Sequence, residues 1–178
     1  MQDTNTETRF SSHMYSIVQF AKIREEAKIP QKRTADAGYD VYACFDEPYI
    51  EIKPHETKMI PTGIASCCGE EYCFIVKERG STGSKGLGLR CGVIDSNYRG
   101  EWFIAITNHN DRTVYIAKEG VSQPSWNINN AIVYPYEKAI AQTLIIPVPH
   151  TIIEVINYED LQNIYSERGD GKLGSSNK

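Results

Sequence analysis

The sequence contains no long hydrophobic run. No segment approaches the roughly 18 consecutive apolar residues of a membrane-spanning helix. The first 14 residues are polar and lack the apolar segment of a secretion signal. We therefore expect a cytoplasmic protein with no membrane among its partners.

An excess of positive charge is also missing. The 19 Lys and Arg residues are outnumbered by 23 Asp and Glu residues, which gives a formal net charge of −4. A protein that covers a nucleic-acid backbone needs the opposite sign of charge. Nucleic acid is therefore not expected among the partners.

Cysteine is sparse and irregularly spaced. The five cysteines are an odd number, and the close set at positions 67, 68 and 73 lacks a second pair or a histidine at zinc-finger spacing. We expect neither a disulfide framework nor a structural zinc site, and interpret the cysteines as reduced thiols of a cytosolic protein.

Short apolar segments make up most of what is present. Nine or ten of them, ending with TIIEVI at residues 151–156, are rich in Val, Ile, Tyr and Phe and bounded by Gly, Pro, Asn or Asp. This pattern is typical of short β-strands. Only residues 159–165 predict a short helix, with Asn157 or Asp160 near its start. We therefore predict an all-β protein built as a sandwich, a jelly roll or a closed barrel.

One predicted strand is apolar on both faces. Trp102, Ile104 and Ile106 alternate with Phe103 and Ala105. Such a strand is typical of a sheet that is covered on both sides, and the second cover could be another subunit.

The two ends of the chain depart from the strand pattern. Residues 1–14 are polar and aperiodic, and we predict a disordered leader or a tag remnant there. A β-domain is expected at residues 15–167. Residues 168–178 are rich in Gly, Ser and charge, which predicts a mobile C-terminal arm.

Residues 119–137 form an unusually long polar and aromatic segment between strands. We expect an extended loop or an additional hairpin, because long connections in compact domains are usually functional or structured. The aromatic residues Trp126, Tyr134 and Tyr136 either anchor a protein partner or pack on their own barrel.

A candidate general base lies in GVIDSNYRGEW, residues 92–102. Asp95 follows an apolar triplet and precedes a turn. A carboxylate held at the edge of a rigid sheet can activate a water molecule. The alternative is that Asp95 only caps the turn.

Two segments offer the hydrogen-bond donors that a phosphate group needs. The first is KERGSTGSKG at residues 77–86, which lacks the spacing of a Walker A loop. The second is the arm at 168–178, for which a solvated terminus is the alternative. Their candidate residues are Arg79, Ser81, Thr82, Lys85, Arg168, Lys172, Ser175 and Ser176.

A second candidate acid is Asp40 in ADAGYDVYA, where a turn passes into a strand. This position suits either a turn or the water shell of a hard cation. Mg²⁺ keeps several waters and is held by few carboxylates together with substrate phosphates. Two phosphate-type segments and two acids therefore indicate a Mg²⁺-bound nucleotide phosphate.

Five segments, in this order, resemble the five motifs of the trimeric all-β dUTP pyrophosphatases, the dUTPases. They are AGYDVYA (37–43), ERGSTG (78–83), GVIDSNYRGE (92–101), KAIAQTLI (138–145) and RGDGKLGSS (168–176). The third is the most specific because an acid, an aromatic residue and Arg-Gly recur at fixed offsets. The resemblance runs from about Ser16 to the C-terminus and suggests a phage or Gram-positive bacterial type.

The resemblance implies a jelly-roll-like β-barrel subunit, a homotrimer with three shared active sites, and Mg²⁺-dependent hydrolysis of dUTP to dUMP and pyrophosphate. It implies that Asp95 activates the water that attacks the α-phosphorus and that Asp40 holds the hydrated Mg²⁺. Tyr98 would pack beneath the deoxyribose and exclude a 2′-hydroxyl. The residues implied to contact the substrate or order the water are Arg79, Gly80, Ser81, Thr82, Gly92, Val93, Ile94, Gln142, Arg168, Leu173, Gly174, Ser175 and Ser176.

Two motifs depart from the family pattern. The second motif usually reads Pro-Arg-Ser-Gly, whereas the serine here is displaced by one position, so Ser81 or Thr82 would take its role. In the fifth motif Leu173 stands where the family carries a phenylalanine over the uracil. Either stacking on the base is lost or another ring takes that place, with Trp102, Trp126 and Tyr165 as candidates.

Two other functions remain open at this point. A dCTP deaminase shares the fold and an acidic third motif, although its tail does not usually carry the pattern RGxGxxGSS. A nucleotide-gated regulatory protein would bind another protein through residues 119–137.

Overall fold

The computed structural model describes residues 17–121 and 131–171 of the 178-residue chain. Regular structure in these ranges is mostly β-strand, which confirms the all-β expectation. The chain divides between Val148 and Pro149 into two compact units. Neither helix of the described ranges has the length and apolar character needed to cross a membrane.

Twelve strands and two short helices lie in the described ranges. The strands are β1 Gln19–Lys22, β2 Tyr39–Val41, β3 Tyr49–Ile52, β4 Thr57–Pro61, β5 Ile64–Cys67, β6 Tyr72–Lys77, β7 Leu87–Arg90, β8 Val93–Ile94, β9 Phe103–Asn108, β10 Val114–Ala117, β11 Ile132–Pro135 and β12 Ala141–Pro147. The helices are α1 Gly80–Gly83 and α2 Tyr158–Asn163.

The first unit consists of four small sheets around one apolar core. Their strand orders are β1–β5, β11–β10–β3, β2–β12–β6–β8 and β4–β9–β7. All strand pairs are antiparallel except β10 with β11. Short strands in several small sheets are what a jelly-roll-like barrel requires.

Trp102 lies at the centre of the core. Its side chain is 0% exposed, and its ring packs against Phe74 and Phe20 at centroid distances of 5.0 and 5.6 Å. The indole N–H donates to Ser66 Oγ at 3.1 Å, so the polar atom of this large ring is satisfied. The expectation that Trp102 could cover a uracil is therefore wrong, because the ring is needed inside the barrel.

Strand β9 has apolar residues on both faces, but only one face packs on the core. Ile104 and Ile106 face the core and are 2% and 0% exposed. On the outer face Met59 pairs with Ala105 and Phe103 pairs with Pro61. Met59 and Phe103 remain 54% and 41% exposed in the single chain. The outer face of this sheet therefore leaves two large apolar side chains exposed within one subunit.

One expected strand is two strands in the structure. The segment KMIPTGIA splits into β4 and β5 because Gly63 adopts a positive φ of 67°. A Cβ atom at Gly63 would lie 2.9 Å from the Cβ of Ala27, so only glycine fits this bend. Strand β7 was not expected from the sequence, whereas β8 lies in the apolar triplet before Asp95 and β11 in the segment for which a loop or a hairpin was expected.

The segment at 119–137 contains a strand rather than only a loop. Strand β11 runs parallel to β10, with Ile132 opposite Val114. Tyr134 is 1% exposed and donates its hydroxyl to the carbonyl of Ala139 at 2.7 Å. Tyr136 packs against Phe45 at a centroid distance of 4.9 Å.

Tyr134 is therefore buried in its own barrel and cannot be an exposed anchor for a partner, whereas Tyr136 is half-buried and its role as an anchor stays a prediction. Trp126 and the rest of residues 122–130 lie outside the described ranges, as do residues 1–16 and 172–178.

The second unit is described over residues 149–171. Helix α2 begins after Asn157, whose side chain accepts a hydrogen bond from the N–H of Asp160 at 2.9 Å, as the sequence predicts for a helix start. The expected strand at 151–156 is wrong for the single chain, because these residues pair with no strand there. Several apolar side chains are strongly exposed, namely Ile152, Ile153, Val155, Tyr158, Leu161, Ile164 and Tyr165.

Asn108 is a buried polar residue that holds backbone carbonyls of two segments of the chain. Its side chain is 0% exposed, and its Nδ2 lies 2.8 to 3.1 Å from the carbonyl oxygens of Ile52, Lys53 and Arg112. We expect Asn108→Ala to lower the free energy of unfolding by about 3 kcal/mol, because these carbonyls lose their donor. Thermal denaturation measures this loss. The exposed Asn163→Ala is the control, and equal melting temperatures for the two variants would contradict the prediction.

Candidate active site

An open cleft of about 930 Å³ collects residues from three of the sequence motifs. Asp40 comes from the first, Arg79 and Ser81 from the second, and Gln142 from the fourth. Gly80 also lines it. The structure therefore brings together five of the residues that the sequence singled out.

The register of the largest sheet produces this arrangement. On the central strand β12, Gln142 lies opposite Asp40 of β2 on one side and opposite Lys77 of β6 on the other. Residues paired across antiparallel strands lie on the same face. Arg79 follows two positions after Lys77, so the end of β6 delivers it beside Asp40.

Arg79 and Asp40 form a two-pronged ion pair. Nε of Arg79 lies 2.7 Å from Oδ1 of Asp40, and Nη2 donates to Oδ2 at 3.2 Å. Nη1 donates to Oγ of Ser81 at 3.2 Å. A guanidinium group carries five N–H donors, so donors remain for a ligand after these three contacts. The two side chains are 30% and 32% exposed, which limits screening by water.

The single turn of α1 separates the roles of the two neighbouring hydroxyl residues. Thr82 is 0% exposed, and its Oγ1 accepts from the N–H of Arg79 and donates to the Arg79 carbonyl, both at 3.0 Å. Its hydroxyl therefore fixes the backbone of Arg79. Of the two residues, Ser81 is the one that lines the cleft.

Two residues that the sequence analysis did not single out hold Gln142 in place. The amide of Gln142 donates to the carbonyl of Glu78 at 2.7 Å. The carboxylate of Glu78 accepts from the N–H of Leu89 at 2.8 Å, and this bond lowers the pKa of Glu78 below its ordinary value. A Cβ at Gly38 would lie 2.4 Å from Oε1 of Gln142, so glycine leaves room for that amide. The sequence signal was present, since both residues lie inside the recognised motifs.

The turn at residues 31–37 forms another wall of the cleft. Arg33 pairs with Asp36, with Nε 2.8 Å from Oδ2. Lys32 lines the same wall and donates to the carbonyl of Asp36 at 2.7 Å. None of these three residues carries a recognisable spacing, so the sequence alone did not indicate them.

Asp95 directly follows β8, the edge strand of the same sheet. Strand β8 pairs with β6, with Ile94 opposite Phe74. In the turn that follows, the carbonyl of Asp95 accepts from the N–H of Tyr98 at 3.1 Å. The side chain of Asp95 is exposed. Tyr98 is 43% exposed and donates its hydroxyl to the carbonyl of Glu101 at 3.0 Å, which fixes the ring position.

Close backbone packing fixes the start of strand β8. A Cβ at Gly92 would lie 2.5 Å from the carbonyl oxygen of Val76, and the carbonyl of Gly92 accepts from the N–H of Val76 at 2.7 Å. The backbone of Val93 and Ile94 is therefore presented at the edge of the sheet beside β6.

Within one chain Asp95 does not reach the cleft. Continuing the register of β8 by one residue places Asp95 opposite Cys73, near the start of β6. The cleft lies beyond Lys77, at the other end of β6. At about 3.3 Å per residue these levels are separated by roughly 13 Å along the strand. One subunit therefore presents the acid and the cleft at opposite ends of the same strand.

The C-terminal candidates are only partly described. Nε of Arg168 donates to the carbonyl of Gly171 at 3.2 Å. The remaining predicted contacts of the arm, Leu173, Gly174, Ser175 and Ser176, lie outside the described ranges.

The donor set of the cleft suits a hydrated cation. No group of three or more His, Cys, Asp or Glu side chains that could enclose a metal occurs in residues 17–121 and 131–171. Asp40 contributes a carboxylate to the cleft, and two of its four or so acceptor positions hold Arg79. The remaining positions can accept hydrogen bonds from metal-bound water. A Mg²⁺ ion that keeps its waters and binds substrate phosphates fits this set.

Comparison with known proteins gives consistent results. The family model for dUTPase matches residues 25–123. The deoxyuridine 5′-triphosphate nucleotidohydrolase of Paraburkholderia xenovorans is 33% identical over 149 residues, which cover 82% of this chain and 85% of that protein.

Solved structures show the same fold. The dUTPase of Staphylococcus bacteriophage 80alpha with dUpNHpp has a TM-score of 0.71 at 22% identity, covering 91% of this chain and 99% of that one. A mutant dUTPase of phage phi11 of S. aureus, described with a structural Mg(II) ion, has a TM-score of 0.62 at 22% identity and covers 79% and 96%. Because the family model matches more than half of the chain and the bacterial relative aligns with most of it, this chain belongs to the dUTPase family.

Proposed function

We propose that this protein hydrolyses dUTP to dUMP and pyrophosphate, as a homotrimer whose active sites are shared between subunits. The observation that carries the proposal is the cleft in which sheet register assembles Asp40, Arg79, Ser81 and Gln142. The bacterial relative is named for the hydrolysis of this nucleotide. The phage 80alpha enzyme was solved with the nucleotide dUpNHpp.

The cleft binds the phosphate chain in this proposal. Arg79 has N–H donors left after its contacts with Asp40 and Ser81, and those donors suit phosphate oxygens. Gln142 is fixed by Glu78 and orders the attacking water or a phosphate oxygen. Donors that are held before the substrate arrives stabilise the developing charge without reorganisation.

Asp95 is the general base. Its carboxylate takes a proton from a water molecule, the oxygen attacks the α-phosphorus, and the bond between that phosphorus and the bridging oxygen to the β-phosphate breaks. Pyrophosphate leaves with the electron pair. An exposed carboxylate just after β8, a strand fixed by its pairing with β6, can meet a substrate held by another subunit.

Asp40 would hold a hydrated Mg²⁺, in agreement with the acceptor positions left on its carboxylate. The ion would neutralise charge on the phosphates when bound. The phage phi11 protein is described with a structural Mg(II) ion, which supports use of this metal.

The base and sugar are recognised on β8 and on the turn that follows it. The backbone of Gly92, Val93 and Ile94 would read the uracil edge, and the fixed ring of Tyr98 would pack beneath the deoxyribose. The arm, with Arg168, Leu173, Gly174, Ser175 and Ser176, would close over the γ-phosphate and uracil.

Three observations support assembly from several copies. Asp95 and the cleft lie at opposite ends of β6 in one chain. The outer face of the β4–β9–β7 sheet leaves Met59 and Phe103 exposed. The second unit exposes a series of apolar side chains, with Ile152 at 98% and Val155 at 92%. Uncovered apolar surface of this kind is typical of an interface.

A product assay tests the activity directly. The purified protein is incubated with dUTP, UTP or dCTP, in Mg²⁺ or in EDTA, and pyrophosphate and ammonia are measured. We expect pyrophosphate from dUTP with Mg²⁺, little in EDTA, far less from UTP, and no ammonia. Ammonia from dCTP would instead indicate a deaminase, and no product from any nucleotide would favour a regulatory protein.

The role of Asp95 is tested by Asp95→Asn. This change keeps the size of the side chain but removes the base, so we expect turnover of dUTP to fall by about 10²–10⁴-fold while dUpNHpp still binds. Kinetics and equilibrium binding provide the two measurements. Asp111→Asn, at a side chain that is 97% exposed, is the control. Near-normal turnover of Asp95→Asn would contradict the assignment of Asp95 as the general base.

A further inference from the structure

We infer that Lys32, on the wall of the cleft formed by residues 31–37, is a further phosphate-binding residue. The inference rests on the proposed function, because it concerns how the same cleft holds the nucleotide. Neither the sequence motifs nor the resemblance to the family assigns a role to Lys32.

The charges of the cleft lead to this residue. The ionisable groups that line it include three cations, Lys32, Arg33 and Arg79, and two carboxylates, Asp36 and Asp40. Arg79 is paired with Asp40 and Arg33 with Asp36. Each arginine of the cleft therefore already has a carboxylate partner.

Lys32 differs from the two arginines. Among the described residues no carboxylate lies within ion-pair distance of its ammonium group. The group is held by dipoles instead, since Nζ donates to the carbonyls of Asp36 at 2.7 Å and Thr34 at 3.3 Å. It also lies 5.3 Å from the centroid of the Tyr39 ring.

These contacts fix the ammonium group without cancelling its charge. Carbonyl oxygens and an aromatic face stabilise a cation but carry no net negative charge. An ammonium group has three N–H donors, and the two carbonyls use two of them. One donor and a positive charge that forms no direct ion pair are therefore available at the wall of the cleft, although the charge still interacts at longer range with the Asp36 carboxylate.

A ligand that carries several negative charges matches this arrangement. The triphosphate chain supplies oxygen acceptors, and a charge-assisted hydrogen bond to phosphate is stronger than a neutral one. The half-buried position of Lys32 reduces screening by salt. The side chain is already held in place, so little additional conformational entropy is lost when the phosphate binds.

The test compares Lys32→Gln with Lys32→Arg in equilibrium binding of dUMP and dUpNHpp. We expect Lys32→Gln to weaken dUpNHpp binding about tenfold and dUMP binding clearly less, because the chain beyond the α-phosphate carries most of the charge. Lys32→Arg keeps the charge and should restore most of the affinity. The loss should shrink in high salt, which a purely structural effect on the turn would not do.

Lys22→Gln is the matched control, since the ammonium group of Lys22 also binds a backbone carbonyl, that of Glu25 at 3.1 Å, but outside the cleft. Unchanged dUpNHpp affinity in Lys32→Gln would overturn the inference, and so would an equal loss for dUMP and dUpNHpp. Wild-type hydrolysis of dUTP is measured in the same preparation. If the wild type is active and Lys32→Gln binds normally, only the inference fails. If the wild type neither binds dUpNHpp nor hydrolyses dUTP, the proposed function fails.

Discussion

The candidate site depends on the register of strand β12 between β2 and β6. Gln142 lies opposite Asp40 and Lys77 at once, and this single row brings together motifs that are about 100 residues apart in the chain. A shift of one residue in β12 would turn Gln142 to the other face of the sheet. The hydrogen bond from the side-chain amide of Gln142 to the carbonyl of Glu78 connects these paired residues to Arg79, which directly precedes α1.

The electrostatics of the cleft follow from the same geometry. Arg79 reaches Asp40 because both stand at the end of the row, and their pairing leaves the cleft without a strong net charge from that motif. The neighbouring turn pairs Arg33 with Asp36, and among the described residues Lys32 forms no ion pair of its own. The N–H donors that these pairs leave unused, together with the charge of Lys32, remain for a polyanion.

The sequence predicted the chemistry of the site better than its architecture. Asp40, Arg79, Ser81 and Gln142 could be found because they sit in motifs whose residue order is preserved along the chain. The choice between Ser81 and Thr82 required the structure, since only the backbone contacts of Thr82 show which hydroxyl is already engaged. Lys32 could not be identified from the sequence, because only the structure shows that its ammonium group contacts backbone carbonyls and forms no ion pair among the described residues.

The fold shows the same limits. Alternating apolar residues revealed β9 and the all-β class, whereas β8 is two residues long and exists only because β6 pairs with it. The aromatic residues Tyr134 and Tyr136 looked exposed in a polar segment, but the parallel pairing of β11 with β10 draws this segment onto the barrel. Long-range pairing of this kind leaves no local signal in the sequence.

The central claim is that Asp95 of one subunit serves the cleft of another. The most direct measurement mixes two variants, Asp95→Asn and Arg79→Ala, by dissociating and reassembling their subunits in equal amounts, and then follows dUTP hydrolysis. Each variant alone lacks one half of every site. In randomly mixed trimers about a quarter of the sites combine an intact cleft with an intact Asp95, so activity near a quarter of wild type is expected. Activity no greater than the mean of the two separate variants would show that both halves of the site belong to one subunit, and would contradict the account.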